Sequence, residues 1–247
     1  MGGTSPQSPE QHPLVWRMRH TAPASPAWPT GHAQLDRCLP GGGWPTGALT
    51  ELLTDTTGAG ELSLLTPAVA ELTRQGRWVF LIDPPWTPYP PALQGHGVDL
   101  AHVLLIRTDN ARESLWAFEQ ALRGLRGGAV VAWPEHRGHR TGFTQLRRLQ
   151  LASREGQQIA FMFRPLERAH GASPAGVRLC LEPGRSELRV HVLKSRGSRP
   201  GQTTVIRRPH PSLLAPADPA DRANIESFND AFRGAAPDIG HTATADE

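Results

Sequence analysis

Between residues 48 and 163 short apolar runs alternate with longer amphipathic segments. The runs Ala48–Leu53, Trp78–Ile82, Val103–Arg107, Ala129–Trp133 and Gln158–Phe163 read as strands, and Glu61–Arg74, Ala111–Arg123 and Thr141–Glu155 read as helices. A strand that is apolar at nearly every position needs cover on both faces, and a helical crossover joins strands that run in the same direction. The alternation therefore predicts an α/β domain whose mostly parallel sheet is flanked by helices. After Arg164 the pattern changes: Val177–Glu182 and Glu187–Leu193 are separated by Pro183-Gly184-Arg185-Ser186, which predicts a C-terminal antiparallel hairpin extension. Upstream, Thr30–Leu39 reads as a helix, Gly41-Gly42-Gly43 as a turn and Pro84–Pro91 as a Pro-rich loop.

With 38% hydrophobic residues, the 247-residue chain can bury one sizeable core. Residues 1–29 and 209–247 are Pro-rich and polar, so the expected division is a mobile arm at 1–29, one domain at 30–208 and a mostly disordered tail at 209–247. Within the tail, Asp218 and Pro219 can open a short helix that lines up Ile225, Phe228 and Phe232 as a candidate partner-binding face. No run of 18 apolar residues occurs and the first thirty residues lack a signal-peptide core, so the expectation is a cytoplasmic protein that makes no use of a membrane. Cys38 and Cys180 fit no metal or redox spacing and are expected to be reduced, partly buried thiols.

A net charge of +3 conceals an asymmetry, because residues 137–208 hold about fifteen basic residues against about four acidic ones. Lys194 is the only lysine in the chain. That matters at Thr54–Leu62, where strand, glycine-containing loop and helix follow one another in the order of a phosphate-binding loop. Such a loop needs a lysine for the phosphates and a hydroxyl for magnesium. With Gly58 and Gly60 as the loop glycines, Glu61 stands at the lysine position and Leu62 at the hydroxyl position. Exchanging attraction for repulsion at about 4 Å is a swing of up to about 8 kcal/mol at an effective dielectric of about 20, as large as the whole binding energy of a micromolar ligand. The loop is thus expected to bind no nucleotide in the usual way, and Glu61 to act as a stand-in anion at the helix N-terminus. A plain βα turn is the competing reading.

Several segments resemble the ImuA family, a divergent branch of the RecA-like fold that is also similar to the SulA cell-division inhibitors. They are residues 30–36 (TGHAQLD), 39–53 (LPGGGWPTGALTELL), 58–62 (GAGEL), 113–122 (ESLWAFEQAL) and 146–152 (LRRLQLA), and the resemblance covers roughly residues 12–205. It implies a RecA-like core with a degenerate nucleotide loop. The catalytic acids of a RecA-type recombinase would fall at Pro85 and Trp133, neither of which can polarise water or organise magnesium. The implied role is that of a non-enzymatic accessory protein, without cofactor, in SOS-induced mutagenic translesion synthesis. Its implied partners are an ImuB-like inactive Y-family polymerase and an error-prone polymerase III alpha-type subunit, with RecA recombinase and single-stranded DNA as further candidates. Two alternatives stay open: a SulA-like inhibitor of the cell-division GTPase, and an NTPase with an unorthodox site.

Arg147, Arg148, Lys194, Arg196, Arg199, Arg207 and Arg208 are candidate contacts to DNA or to an acidic partner. Trp44, Trp86 and Trp133 lie near strand ends and are expected to fill the emptied nucleotide pocket. His136 and His139 have partial metal-ligand spacing but no further ligands nearby, and read as a loop feature.

Overall fold

The structure, a computed structural model, describes residues 26–55, 60–196 and 201–207. Its strands are β1 (Ala27–Trp28), β2 (Trp44–Pro45), β3 (Ala48–Thr54), β4 (Val79–Ile82), β5 (Val103–Ile106), β6 (Ala129–Ala132), β7 (Ile159–Pro165), β8 (Val177–Pro183), β9 (Glu187–Ser195) and β10 (Thr203–Arg207). The helices are α1 (Ala33–Asp36), α2 (Thr66–Arg74), α3 (Pro90–Gly95), α4 (Ala111–Gly124) and α5 (Phe143–Gly156).

β3 to β10 form one sheet in the order β10-β9-β8-β3-β7-β6-β4-β5. Every pairing from β8 across to β5 is parallel, and β8-β9-β10 is antiparallel. This is the α/β, RecA-like core expected from the sequence, with its antiparallel extension at the C-terminal side. Alternate residues of β3 serve two cores. Leu52 joins Leu64, Ala68 and Leu72 on the α2 side, whereas Leu49 joins Phe118, Leu122, Leu146 and Leu149 of α4 and α5. The start of α4 is fixed by Asn110, whose side chain accepts from the backbone N–H groups of Arg112 and Glu113.

β1 and β2, a short antiparallel pair, were not anticipated, and four further elements differ from the sequence reading. The helix expected at Thr30–Leu39 shrinks to α1, because the Asp36 carboxylate turns back to accept from the Thr30 N–H (2.9 Å) and Pro40 follows closely. The helix expected at Glu61–Arg74 is divided into a 3-10 turn at Glu61–Leu64 and α2, whose start is set by Pro67 in its first turn. Pro90 and Pro91, read as part of a loop, open α3 for the same reason. β10 was not anticipated: only Ile206 and Thr204 of this edge strand are buried, too few to show a periodicity.

Two glycines are required by close backbone approach. A Cβ on Gly43 would stand 2.2 Å from the Trp28 carbonyl oxygen, and one on Gly128 would stand 2.1 Å from that of Trp78. Gly43 thus lets the Gly-Trp-Pro segment pass under β1, and Gly128 admits β6 beside β4. Cys38 and Cys180 are both buried, and burial is the first cause that pushes the Cys180 thiol up. Among the described residues no helix is long and apolar enough to cross a membrane. Gly58, Arg199, Arg208, Ile225, Phe228 and Phe232 lie outside the described residues, as do residues 1–25 of the expected N-terminal arm and the tail at 209–247, whereas Ala27–Trp28 at the end of that arm form β1.

Candidate functional site

In an open α/β sheet the ligand crevice lies beyond the carboxyl ends of the strands. Here a cavity of about 240 Å³ opens at the ends of β3, β6 and β7, with Thr54, Asp55, Pro85, Trp133, Phe163 and Arg164 among its walls. Trp133 follows β6 directly and stacks on Phe163, with ring centroids 4.8 Å apart and planes 3° from parallel. Both rings are buried, so this aromatic pair fills the part of the crevice nearest the sheet.

The loop residues that could be compared with a phosphate cradle are turned to other uses. Gly60 is left-handed (φ 88°), and its carbonyl accepts from the Ser63 hydroxyl at 2.6 Å and from the Ser63 N–H at 3.1 Å. Leu62 packs against the core on the α2 side, and Glu61 is buried. Because α2 begins only at Thr66, its first-turn amides, the groups that favour an anion, belong to residues well beyond the loop.

The acids near the crevice are held by the protein itself. Asp83 takes a left-handed conformation (φ 49°) at the end of β4 and accepts from the Thr108 N–H (2.8 Å) and the Thr108 hydroxyl (2.5 Å), clamping the chain after β5. Pro85 lines the crevice where the general base of a RecA-type recombinase was sought. Glu135, two residues past Trp133, has a fully buried side chain and meets Arg164 (2.8 Å), Arg168 (3.0 Å) and the Thr141 N–H (3.1 Å).

Arg164 bridges from Glu135 to Glu51 of β3 (3.2 Å), and Glu51 also accepts from Arg178 of β8 (2.7 Å) and from the Ser173 hydroxyl (2.6 Å). Arg178 completes its fork on the carbonyl oxygens of Arg168, Ala169 and Gly171. Two carboxylates and three guanidiniums therefore join β3, β7, β8 and the segment after β6. Desolvating such charges costs several kcal/mol per ion unless each is paired, and here the pairing is nearly complete. The sequence reading missed this network. A signal was present: Glu51 interrupts an apolar strand, and a carboxylate there must find a cation.

The five basic candidates among the described residues lie on separate elements. Arg147 and Arg148 lie on the exposed side of α5, and Arg148 pairs with Glu119 of α4 at 2.6 Å. Lys194 and Arg196 lie at the end of β9, where they bond to the carbonyl oxygens of Ser173 (2.6 Å) and Pro174 (3.1 Å). Burial, then the neighbouring Arg196 and Arg178, holds the Lys194 ammonium below the ordinary lysine range. Arg207 is exposed on β10, three strands from β3, which α5 covers, or roughly 14 Å at the usual strand spacing. Of the three tryptophans, only Trp133 fills the crevice. Trp44 precedes β3, at the opposite end of the sheet, and is fully buried edge-on to Phe161 (4.9 Å). Trp86 is exposed on the loop after β4. His136 Nδ1 lies 2.8 Å from the Trp133 carbonyl oxygen, while His139 faces away from the crevice into the space between α4 and α5.

A scan against protein-family models finds no match. The chain is 30% identical to Protein ImuA from two strains of Caulobacter vibrioides over 207 aligned residues, covering 73% of this chain and 83% of the relative. It is also 31% identical to the Cell division inhibitor SulA of Edwardsiella piscicida over 106 residues, covering 42% of this chain and 60% of that protein. The shorter match takes in less than half of the chain, whereas the longer one spans most of both proteins. The chain therefore belongs to the ImuA family, and with it to the DNA-damage-associated mutagenesis system that the sequence resemblance implied.

Proposed function

We propose that the chain is a non-enzymatic accessory protein of SOS-induced translesion synthesis, holding an ImuB-like inactive polymerase and an error-prone polymerase together at damaged DNA, in the cytoplasm and without a cofactor. The observation that carries the non-enzymatic part is the state of the crevice. The Trp133–Phe163 stack occupies its floor, and the nearby carboxylates of Glu135 and Asp83 are held by arginines and by a threonine rather than kept for magnesium or water. A RecA-like scaffold relieved of its nucleotide is a rigid carrier of surfaces, and surfaces are what an adaptor needs.

The test is capture of the ImuB-like partner, the error-prone polymerase subunit and RecA recombinase by the full chain, with and without ATP, together with an ATP-turnover assay. Salt-resistant, ATP-independent capture of the ImuB-like protein without turnover supports the reading. Turnover above background, abolished by a substitution in the crevice, overturns it. The partial match to SulA favours a second reading, inhibition of the cell-division GTPase. Expression that makes cells filament without changing mutation frequency would select that reading.

A further inference from the structure

A second open space, larger than the crevice, is a groove of about 510 Å³ between α4 and α5. Its floor is apolar, from Leu115 and Leu149, and its walls carry Arg112, Trp116, His139 and Arg148. Trp116 is 63% exposed, whereas the core tryptophans Trp44 and Trp133 are almost fully enclosed. It lies one helical turn from Arg112 on α4. Arg148 faces the same space from α5. His139 reaches the groove from the loop after β6, which is tied down by Arg137, donating to the Asp109 carbonyl oxygen at 2.8 Å.

The exposed charges in the described lining of the groove are those of Arg112 and Arg148. Glu119 is the single carboxylate in its lining among the described residues; its side chain is 12% exposed and is bracketed by Arg123 and Arg148. Arg148 is itself 63% exposed, so its pair with Glu119 is a surface contact of small net value that an incoming phosphate can displace. The buried Nε2 of His139, another lining residue, meets no hydrogen-bond partner among the described residues.

A solvent-facing indole set between guanidiniums suits a chain of alternating aromatic rings and phosphates: bases stack on the indole face and the forked cations take the phosphate oxygens. We propose that the groove between α4 and α5 binds single-stranded nucleic acid, with one base stacked on Trp116 and the flanking phosphates held by Arg112 and Arg148. The inference deepens the reading of a protein that works at damaged DNA and gives that work a surface outside the former nucleotide crevice. It differs from the stripe of basic residues sought in the sequence, since Trp116 and Arg112 were not among those candidates.

The probe is a fluorescent twenty-residue oligothymidylate, followed by anisotropy against the full chain over a range of salt concentrations. Trp116→Ala should weaken binding about 5- to 150-fold, the usual range for losing one stacked base, and Trp116→Phe should recover most of it. Arg112→Gln should lower the slope of log affinity against log salt by about 0.7, the loss of one phosphate contact on a single strand. Trp116 and Arg112 are exposed, so unchanged melting temperatures are expected, and they confirm that the variants fold.

Capture of the ImuB-like partner is measured on the same variants. Loss of oligothymidylate binding with capture intact supports the inference. Oligothymidylate binding by the native chain that is indifferent to both substitutions overturns it, as does no binding at low salt. Loss of partner capture while oligothymidylate binding persists also overturns it and makes the groove a protein-docking surface. A native chain that captures no partner but binds through Trp116 refutes the adaptor reading and leaves this inference standing.

Discussion

Replacing Glu51 by Gln removes one charge from the buried network with almost no change in shape. Arg164 would keep Glu135 at 2.8 Å, but Arg178, whose side chain is 8% exposed, would lose the carboxylate it pairs with and retain three carbonyl oxygens. Breaking a buried pair from one side typically costs about 3–5 kcal/mol, because the surviving charge stays desolvated. For a domain of this size each kcal/mol lowers Tm by roughly 2–4 °C, so the melting temperature should fall by about 6–20 °C. Urea unfolding followed by circular dichroism should show the loss as a lower midpoint at constant slope. The double replacement Glu51→Leu with Arg178→Leu should recover much of it, since removing both charges leaves none stranded. A Glu51→Gln loss below about 1 kcal/mol would refute the reasoning, as that is the size of a solvated surface pair.

Three further outcomes follow from other parts of the fold. Millimolar ATP with magnesium should leave Tm unchanged by differential scanning fluorimetry, whereas a ligand at about 100 times its Kd would add about 2.7 kcal/mol; a saturable rise would refute the account of the crevice. Burial, outweighing the Leu64 backbone hydrogen bond and Asp36, holds the His32 imidazole below its ordinary range, so the unfolded chain binds the proton more readily. Stability should therefore fall as pH drops through about 6.5 towards the lowered folded value, and urea midpoints at pH 7.5 and 5.5 should differ less in His32→Gln than in the native chain. Gly128→Ala should destabilise by a few kcal/mol in thermal melts, because its Cβ would stand 2.1 Å from the Trp78 carbonyl oxygen, while Gly138→Ala, with open space around it but a φ of 80°, should cost only about 1 kcal/mol.

What could be read along the chain was whatever repeats locally. The apolar runs at Leu49–Leu53, Val79–Ile82 and Ala129–Ala132 announced buried parallel strands, and Pro183-Gly184-Arg185-Ser186 announced the β8–β9 turn, because strand period and turn chemistry are properties of neighbouring residues. Glu61 and Leu62 were legible as a departure from a phosphate-binding loop for the same reason: a motif is a fixed spacing. The two halves of the Glu51–Arg178 pair are 127 residues apart, and no local pattern joins them. Their meeting follows from β8 lying beside β3 in the finished sheet, where charges must pair once water is gone. Likewise Trp44, Trp116 and Trp133 are one residue type in the sequence, and only packing made the first a core ring, the second an exposed one and the third the floor of the crevice. Sequence by itself determined the element types, the class of sheet and the missing lysine. Strand order decided which distant side chains share a desolvated space, because burial is a property of the assembled surface and not of any segment taken alone.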